Sequence, residues 1–120
     1  MQTVKIAIVG SRTFNDYDKL KNFIQQVCRL EELDPLAVIS GGAKGADTLA
    51  AQYARENNLE LVVFIPDWDK FGRSAGFKRN IDIIDNCDVC FAFWDGKSRG
   101  TKHDIELCGQ KGKKCYICRF

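Results

Sequence analysis

Two prolines in 120 residues, with one methionine and one histidine, are all this chain has of those types, and no tract is low in complexity. With 45% hydrophobic and 28% charged residues, that excludes the disordered and fibrous classes and leaves an ordinary soluble globular chain. Long apolar runs are missing too. The one that opens the chain is cut off at Ser11-Arg12 after five residues, too short for a signal-peptide core or a membrane span. A cytoplasmic location and no membrane partner are therefore expected. The formal charge is only +2, which makes no case for nucleic acid. Residues 1–120 are read as a single domain, large enough for a core that needs no staple.

Cysteine is the type that is not scarce. Cys87-Asp-Val-Cys90 and Cys115-Tyr-Ile-Cys118 spell two CxxC pairs with 24 residues between them, a spacing that resembles a zinc site. Both pairs lie in β-rich runs without a glycine or proline knuckle. In a strand, residues i and i+3 point to opposite faces, so neither pair chelates one ion. The expectation is reduced, buried thiols filling the core, with no metal and no disulfide framework.

Short apolar runs alternate with amphipathic segments along the chain. Val4 to Val9, Leu36 to Ile39, Leu61 to Ile65, Val89 to Phe93 and Cys115 to Cys118 read as strands buried on both faces. Helices fall between them. One is capped near Asn15 or Asp16, with Tyr17, Leu20, Ile24, Val27 and Cys28 inward. A second runs from Ala46 to Asn57, a third from Ser74 to Asn86 with Phe77, Ile81 and Ile84 inward, and a fourth from Thr101 to Lys111. Strict alternation with short links means an α/β, doubly wound parallel sheet of five strands in the order 3-2-1-4-5, with helices on both faces. Ligands bind such sheets beyond the carboxyl ends of the strands, where the winding reverses.

Four segments of unusual composition sit at those ends. Ser40-Gly41-Gly42-Ala-Lys44-Gly45-Ala-Asp47 follows a strand and opens a helix, so its glycines let the backbone approach a ligand and its free N–H groups face an anion. It matches neither GxxxxGK[ST] nor GxGxxG. A tight turn alone would also explain the glycines, and the helix dipole would explain Asp47. Gly10-Ser11-Arg12 places a guanidinium, suited to bidentate phosphate contact, at the switch point. Trp68, in the loop after the third strand, stacks on a base or seals the core edge, and Arg73 near the third helix start is a ligand contact. Asp95, Gly96, Ser98, Gly100 and Thr101 precede the last helix, where phosphate or ribose contacts are cheap to make. Thr101-Lys-His-Asp104 also fits a capping box, in which Asp104 bonds backbone. Periodicity puts Arg79 opposite the third helix's core stripe with Ile83, a face read as open to a second subunit. His103 is read as an exposed helix position.

Gly10-Ser-Arg-Thr-Phe, Ser40-Gly-Gly-Ala-Lys-Gly-Ala-Asp47, Pro66-Asp-Trp, Gly72-Arg-Ser-Ala-Gly76, Arg79-Asn80 and Phe93-Trp-Asp-Gly-Lys-Ser-Arg-Gly-Thr101 together resemble the YspA and YpsA-related branch of the SLOG (Smf/DprA and LOG) superfamily. The resemblance covers nearly the whole chain and implies a Rossmann-like fold, a nucleotide or nucleotide-derived ligand as partner, and a homo-oligomer. It implies no cofactor. The enzymatic LOG phosphoribohydrolases cut the base–ribose 5'-phosphate bond with an arginine on the third helix and a glutamate after a PGGxGTxxE loop. Arg79 falls at that arginine, Trp94-Asp95-Gly96 replaces the PGG, and Asp104 stands in the glutamate's register with Glu106 two residues on. These departures favour a ligand binder over an N-glycosidic hydrolase using Arg79 with Asp104 or Glu106. Single-stranded nucleic acid, which DprA members bind, is the weakest reading, because no dense basic run except Lys111 to Lys114 supplies a groove.

Overall fold

The computed structural model describes residues 1–120. Five strands, β1 (Gln2–Gly10), β2 (Leu33–Ser40), β3 (Glu60–Val63), β4 (Val89–Trp94) and β5 (Lys114–Arg119), form one sheet in the order β3-β2-β1-β4-β5. Every pairing is parallel. Helices α1 (Tyr17–Leu30) and α2 (Ala46–Glu56) cover one face, and α4 (Ala75–Asn86) and α5 (Arg99–Lys111) the other. The loop after β3 holds a short helix α3 (Trp68–Phe71) and a 3-10 turn, Gly72–Ser74.

The period of two along β1 builds both layers. Val4, Ile6 and Ile8 enter a core with Leu20, Ile24, Ala50, Tyr53, Phe91 and Phe93, while Ala7 and Val9 meet Ile39, Ile83, Ile84, Ala92 and Leu107 on the other side. Apart from Cys118 on β5, the buried residues of the sheet lie on β1, β2 and β4. The edge strands do not fit the expectation of burial on both faces: Leu61, Val63 and Ile117 are exposed, because a strand with one neighbour has only one flank covered. Asp16 caps α1, its carboxylate accepting from Lys19 N at 3.0 Å.

The phase of α4 differs from the expected stripe. Ala75, Asn80, Ile83 and Ile84 are buried, whereas Phe77 is 48% and Ile81 38% exposed. Phe77 packs edge-on against the His103 ring of α5, 4.6 Å between centroids, and does not mark the core side. Ile83, read as open to a second subunit, is covered by the chain's own sheet and 1% exposed.

The cysteines also depart from the pairwise reading. Cys87 precedes β4 and is not within a strand, so it and Cys90 fall in the same core layer. Cys90 and Cys115 are register partners, and their sulfurs lie within 4.8 Å of each other and of Cys108 on α5.

Candidate functional site

The loops after β1, β2, β3 and β4 converge where the winding reverses. The β1 loop turns tightly: Ser11 N donates to Phe93 O at 2.9 Å, Phe14 N to Ser11 O at 3.1 Å, and Phe14 stacks on Phe93 with centroids 5.0 Å apart. Against this turn lies Gly45, whose φ of +71° and closeness to the Ser11 and Arg12 carbonyls leave no room for a side chain. Gly41 makes room in the same way for the Arg79 guanidinium, which a Cβ there would overlap. These two glycines therefore serve close contacts within the chain. Gly41 also lines the cleft, which Gly45 does not.

Arg79 holds the centre. Its Nη1 donates to Gly41 O at 2.6 Å and its Nε to Asn80 Oδ1 at 3.0 Å. Asn80 is buried, its Nδ2 3.4 Å from Gly100 O and 3.2 Å from His103 Nδ1, so one dipeptide on α4 ties the β2 loop to the start of α5. Arg79 thus points into the cleft, not to solvent, because the α4 phase turns it inward. His103 is half-buried between Phe77 and Asn80, and burial lowers its pKa.

The cleft has two joined compartments. The inner one, about 360 Å³, is lined by Gly10, Ser11, Arg12, Thr13, Asp47, Arg79, Asn80, Asp95, Ser98, Thr101 and Asp104. The outer one, about 590 Å³, is lined by Arg12, Gly41, Gly42, Lys44, Ile65, Trp68, Arg73, Phe77 and Arg79. Arg12, Ala43, Arg79, Asn80 and Gly100 border both. Ser40 lies behind them, buried, with its hydroxyl unpartnered. The N–H groups of Arg12, Thr13, Lys44 and Gly100, all on lining residues, make no hydrogen bond within the chain, which leaves donors free around acidic and basic side chains.

The carboxylates behave differently. Asp95 Oδ1 accepts from Lys97 N and Ser98 N, both at 2.8 Å, and these bonds hold its pKa below the usual range. It organises the loop. Asp47 Oδ2 accepts from Ala43 N at 3.0 Å, yet burial outweighs that bond and Arg79, and raises its pKa. Asp104 is 5% exposed with Oδ1 unpartnered, and burial pushes its carboxyl well up, against the pull of Arg79. Neutral, Asp104 can donate a hydrogen bond into the inner compartment.

The capping box is not formed. Ser98 caps α5, accepting from Thr101 N at 3.4 Å, one turn earlier than expected, and this frees Asp104 from any capping task. Glu106 is on the solvent face, 3.9 Å from Lys102, because two residues beyond Asp104 on a helix is about 200° round it. It takes no part in the cleft. Gly96, at φ +85°, packs against Arg119 outside both compartments. Asn80, Thr13, Ile65 and Phe77 line the cleft, although the sequence marks none of them as a ligand contact. For Asn80 the signal was there, a polar residue three and four positions before Ile83 and Ile84.

No helix is long and apolar enough to cross a membrane. A family model described as the YspA, cpYpsA-related SLOG family matches residues 4–71. A Gene 61 protein of Mycobacterium phage D29 is 33% identical over 114 residues, covering 90% of each chain. Two solved DNA processing protein A structures share the fold. That from Helicobacter pylori, described for a unique single-stranded DNA binding mode, matches 95% of this chain at TM-score 0.69 and 19% identity. That from Streptococcus pneumoniae matches 94% at TM-score 0.70 and 23% identity. This chain spans 64% and 49% of their lengths. These neighbours correct one expectation: a protein described as binding single-stranded DNA has this fold, so a small net charge is no ground for excluding nucleic acid. The cations need only be gathered locally, as Arg12, Lys44 and Arg73 are in the outer compartment.

Proposed function

The chain belongs to the YspA, cpYpsA-related SLOG family, and on that premise we propose that it binds a nucleotide or nucleotide-derived phosphorylated ligand in the two-compartment cleft. One observation carries this reading: an outer space with three cations and two aromatic rings opens, past Arg79, into an inner space with a buried carboxyl. Phosphate suits Arg12, Lys44 and Arg73 together with the unpaired N–H groups of the β2 loop. Trp68, 56% exposed, offers a stacking face for a base. The polar edge of the ligand meets Asp104 and Asn80. Arg79 is held by Gly41 and Asn80, which supports its use in shaping the cleft, and the ligand is returned intact.

A second reading has its own support. The fold shared with a described single-stranded DNA binder, and the open run of cations and aromatics in the outer compartment, suit a strand laid along that compartment. Calorimetric titration decides between them. Nucleoside mono- and diphosphates and cyclic nucleotides are compared with a thymidine oligomer, at low and high salt. Saturable one-to-one binding of a mononucleotide, weakened by Lys44→Ala, supports the first reading. Oligomer binding with steep salt dependence and no mononucleotide affinity replaces it with the second.

A further inference from the structure

Below the cleft, on the α4–α5 side of the sheet, three thiols meet from three elements: Cys90 on β4, Cys108 on α5 and Cys115 on β5. Their sulfurs all lie within 4.8 Å of one another, and no histidine or carboxylate completes the group. Adjacent strands put Cys90 and Cys115 in register, and the helix lays Cys108 over them. The triangle is thus fixed by the sheet and one helix, with no loop involved.

A planar three-coordinate ion with metal–sulfur bonds of about 2.3 Å sets its sulfurs about 4.0 Å apart, a spacing this triangle reaches with small side-chain shifts. Zinc in a closed site takes four ligands. The fourth would have to be water, in a layer where Cys90 is fully buried. Soft ions satisfied by three sulfurs need none, and thiolates select monovalent copper. We propose that Cys90, Cys108 and Cys115 form a binding site for a soft, three-coordinate ion of the monovalent copper type. Cys115 is half-buried and gives the ion its way in. Lys113, whose backbone N donates to Cys108 O at 2.9 Å and whose Nζ donates to Cys87 O at 2.7 Å, brings a positive charge to the same corner of the fold.

The test is anaerobic titration of the fully reduced protein with Cu(I) against a chromophoric Cu(I) chelator, with Zn(II) in parallel. One Cu(I) per chain is expected, with a near-ultraviolet thiolate charge-transfer band and three sulfurs in its X-ray absorption spectrum. Cys108→Ser and Cys115→Ser should lose the complex. Cys118→Ser, altered in the opposite core layer, should keep it. Wild-type protein that takes up no Cu(I), or holds it with fewer than three sulfurs, overturns the proposal whatever the variants do. So does stoichiometric four-coordinate Zn(II), or Cu(I) affinity unchanged in either folded serine variant.

Discussion

Asp104→Asn should make the protein more stable at neutral pH, an unusual outcome for a change at a 5% exposed position. The carboxyl is buried with Oδ1 unpartnered, so no hydrogen bond to that oxygen offsets the cost of burying the charged form. Burial first, then the negative charge of Asp47, raise its folded pKa, and Arg79 only partly opposes them. For an acid shifted upward, the unfolded chain gives up its proton first as pH rises. Between the unfolded and folded pKa values the native state therefore binds more protons, and stability falls with rising pH. Its stabilising share is complete only below the ordinary carboxylate value of 3.8. Asparagine keeps the shape and removes the titration. For 120 residues the unfolding entropy is about 0.25 kcal/mol/K, so each kcal/mol moves the midpoint by about 4 °C. Each pKa unit by which folding raises the carboxyl is worth about 1.4 kcal/mol well above the folded value, or about 5 °C, so the variant should melt above wild type at pH 7, with the gap closing toward pH 4. Asp47 shifts in the same direction in both proteins and drops out of the difference to first order. Calorimetric melts of both proteins at pH 4, 5.5 and 7 make the comparison. A gap of zero at pH 7, or one that persists undiminished at pH 4, would refute the reasoning.

Lys44→Ala should weaken a phosphorylated ligand by about 1–3 kcal/mol, seen by calorimetric titration, and leave the melting midpoint unchanged because Lys44 is exposed. Gly41→Ala should cost about 1–3 kcal/mol in chemical unfolding, since the new methyl displaces Arg79 from its bond to Gly41 O, and should impair ligand binding as well. Trp68→Ala should reduce affinity for a base-bearing ligand and spare affinity for inorganic phosphate; equal losses for both would remove Trp68 from base contact. A matching nucleotide at a hundred times its dissociation constant should stabilise the fold by about 2.7 kcal/mol and be recovered uncleaved by chromatography, whereas free base accumulating with protein concentration would reveal a hydrolase.

The sheet was legible because its signals are local. Apolar runs of strand length separated by helical periods make the sheet parallel, which puts the four loops at one edge, and the order 3-2-1-4-5 is a common winding that right-handed crossovers allow. Side-chain direction was harder. In α4 the largest apolar residue, Phe77, points to the core in sequence but packs on His103 and is 48% exposed, and a phase set by it turns Arg79 and Ile83 the wrong way. The capping reading of Asp104 failed for a similar reason, since Ser98 offers the same chemistry one turn earlier and a motif cannot say which of two hydroxyls is used. The three thiols were invisible to any pairwise spacing, because Cys90, Cys108 and Cys115 come together only when β4 and β5 pair and α5 packs on them.

On α5, Thr101, Asp104 and Cys108 succeed one another at steps of three and four, so they form a single buried stripe about 10 Å long. Its upper end is in the cleft and its lower end meets Cys90 and Cys115. A rod of this kind can slide or turn only as a whole. Any shift of α5 that reshaped the inner compartment would carry Cys108 with it and disturb the β4–β5 corner. The cleft's upper wall is consequently the part least free to drift, and diversification toward new ligands is steered to the outer compartment, where Lys44, Trp68 and Arg73 sit on loops and short turns that no second contact holds in common.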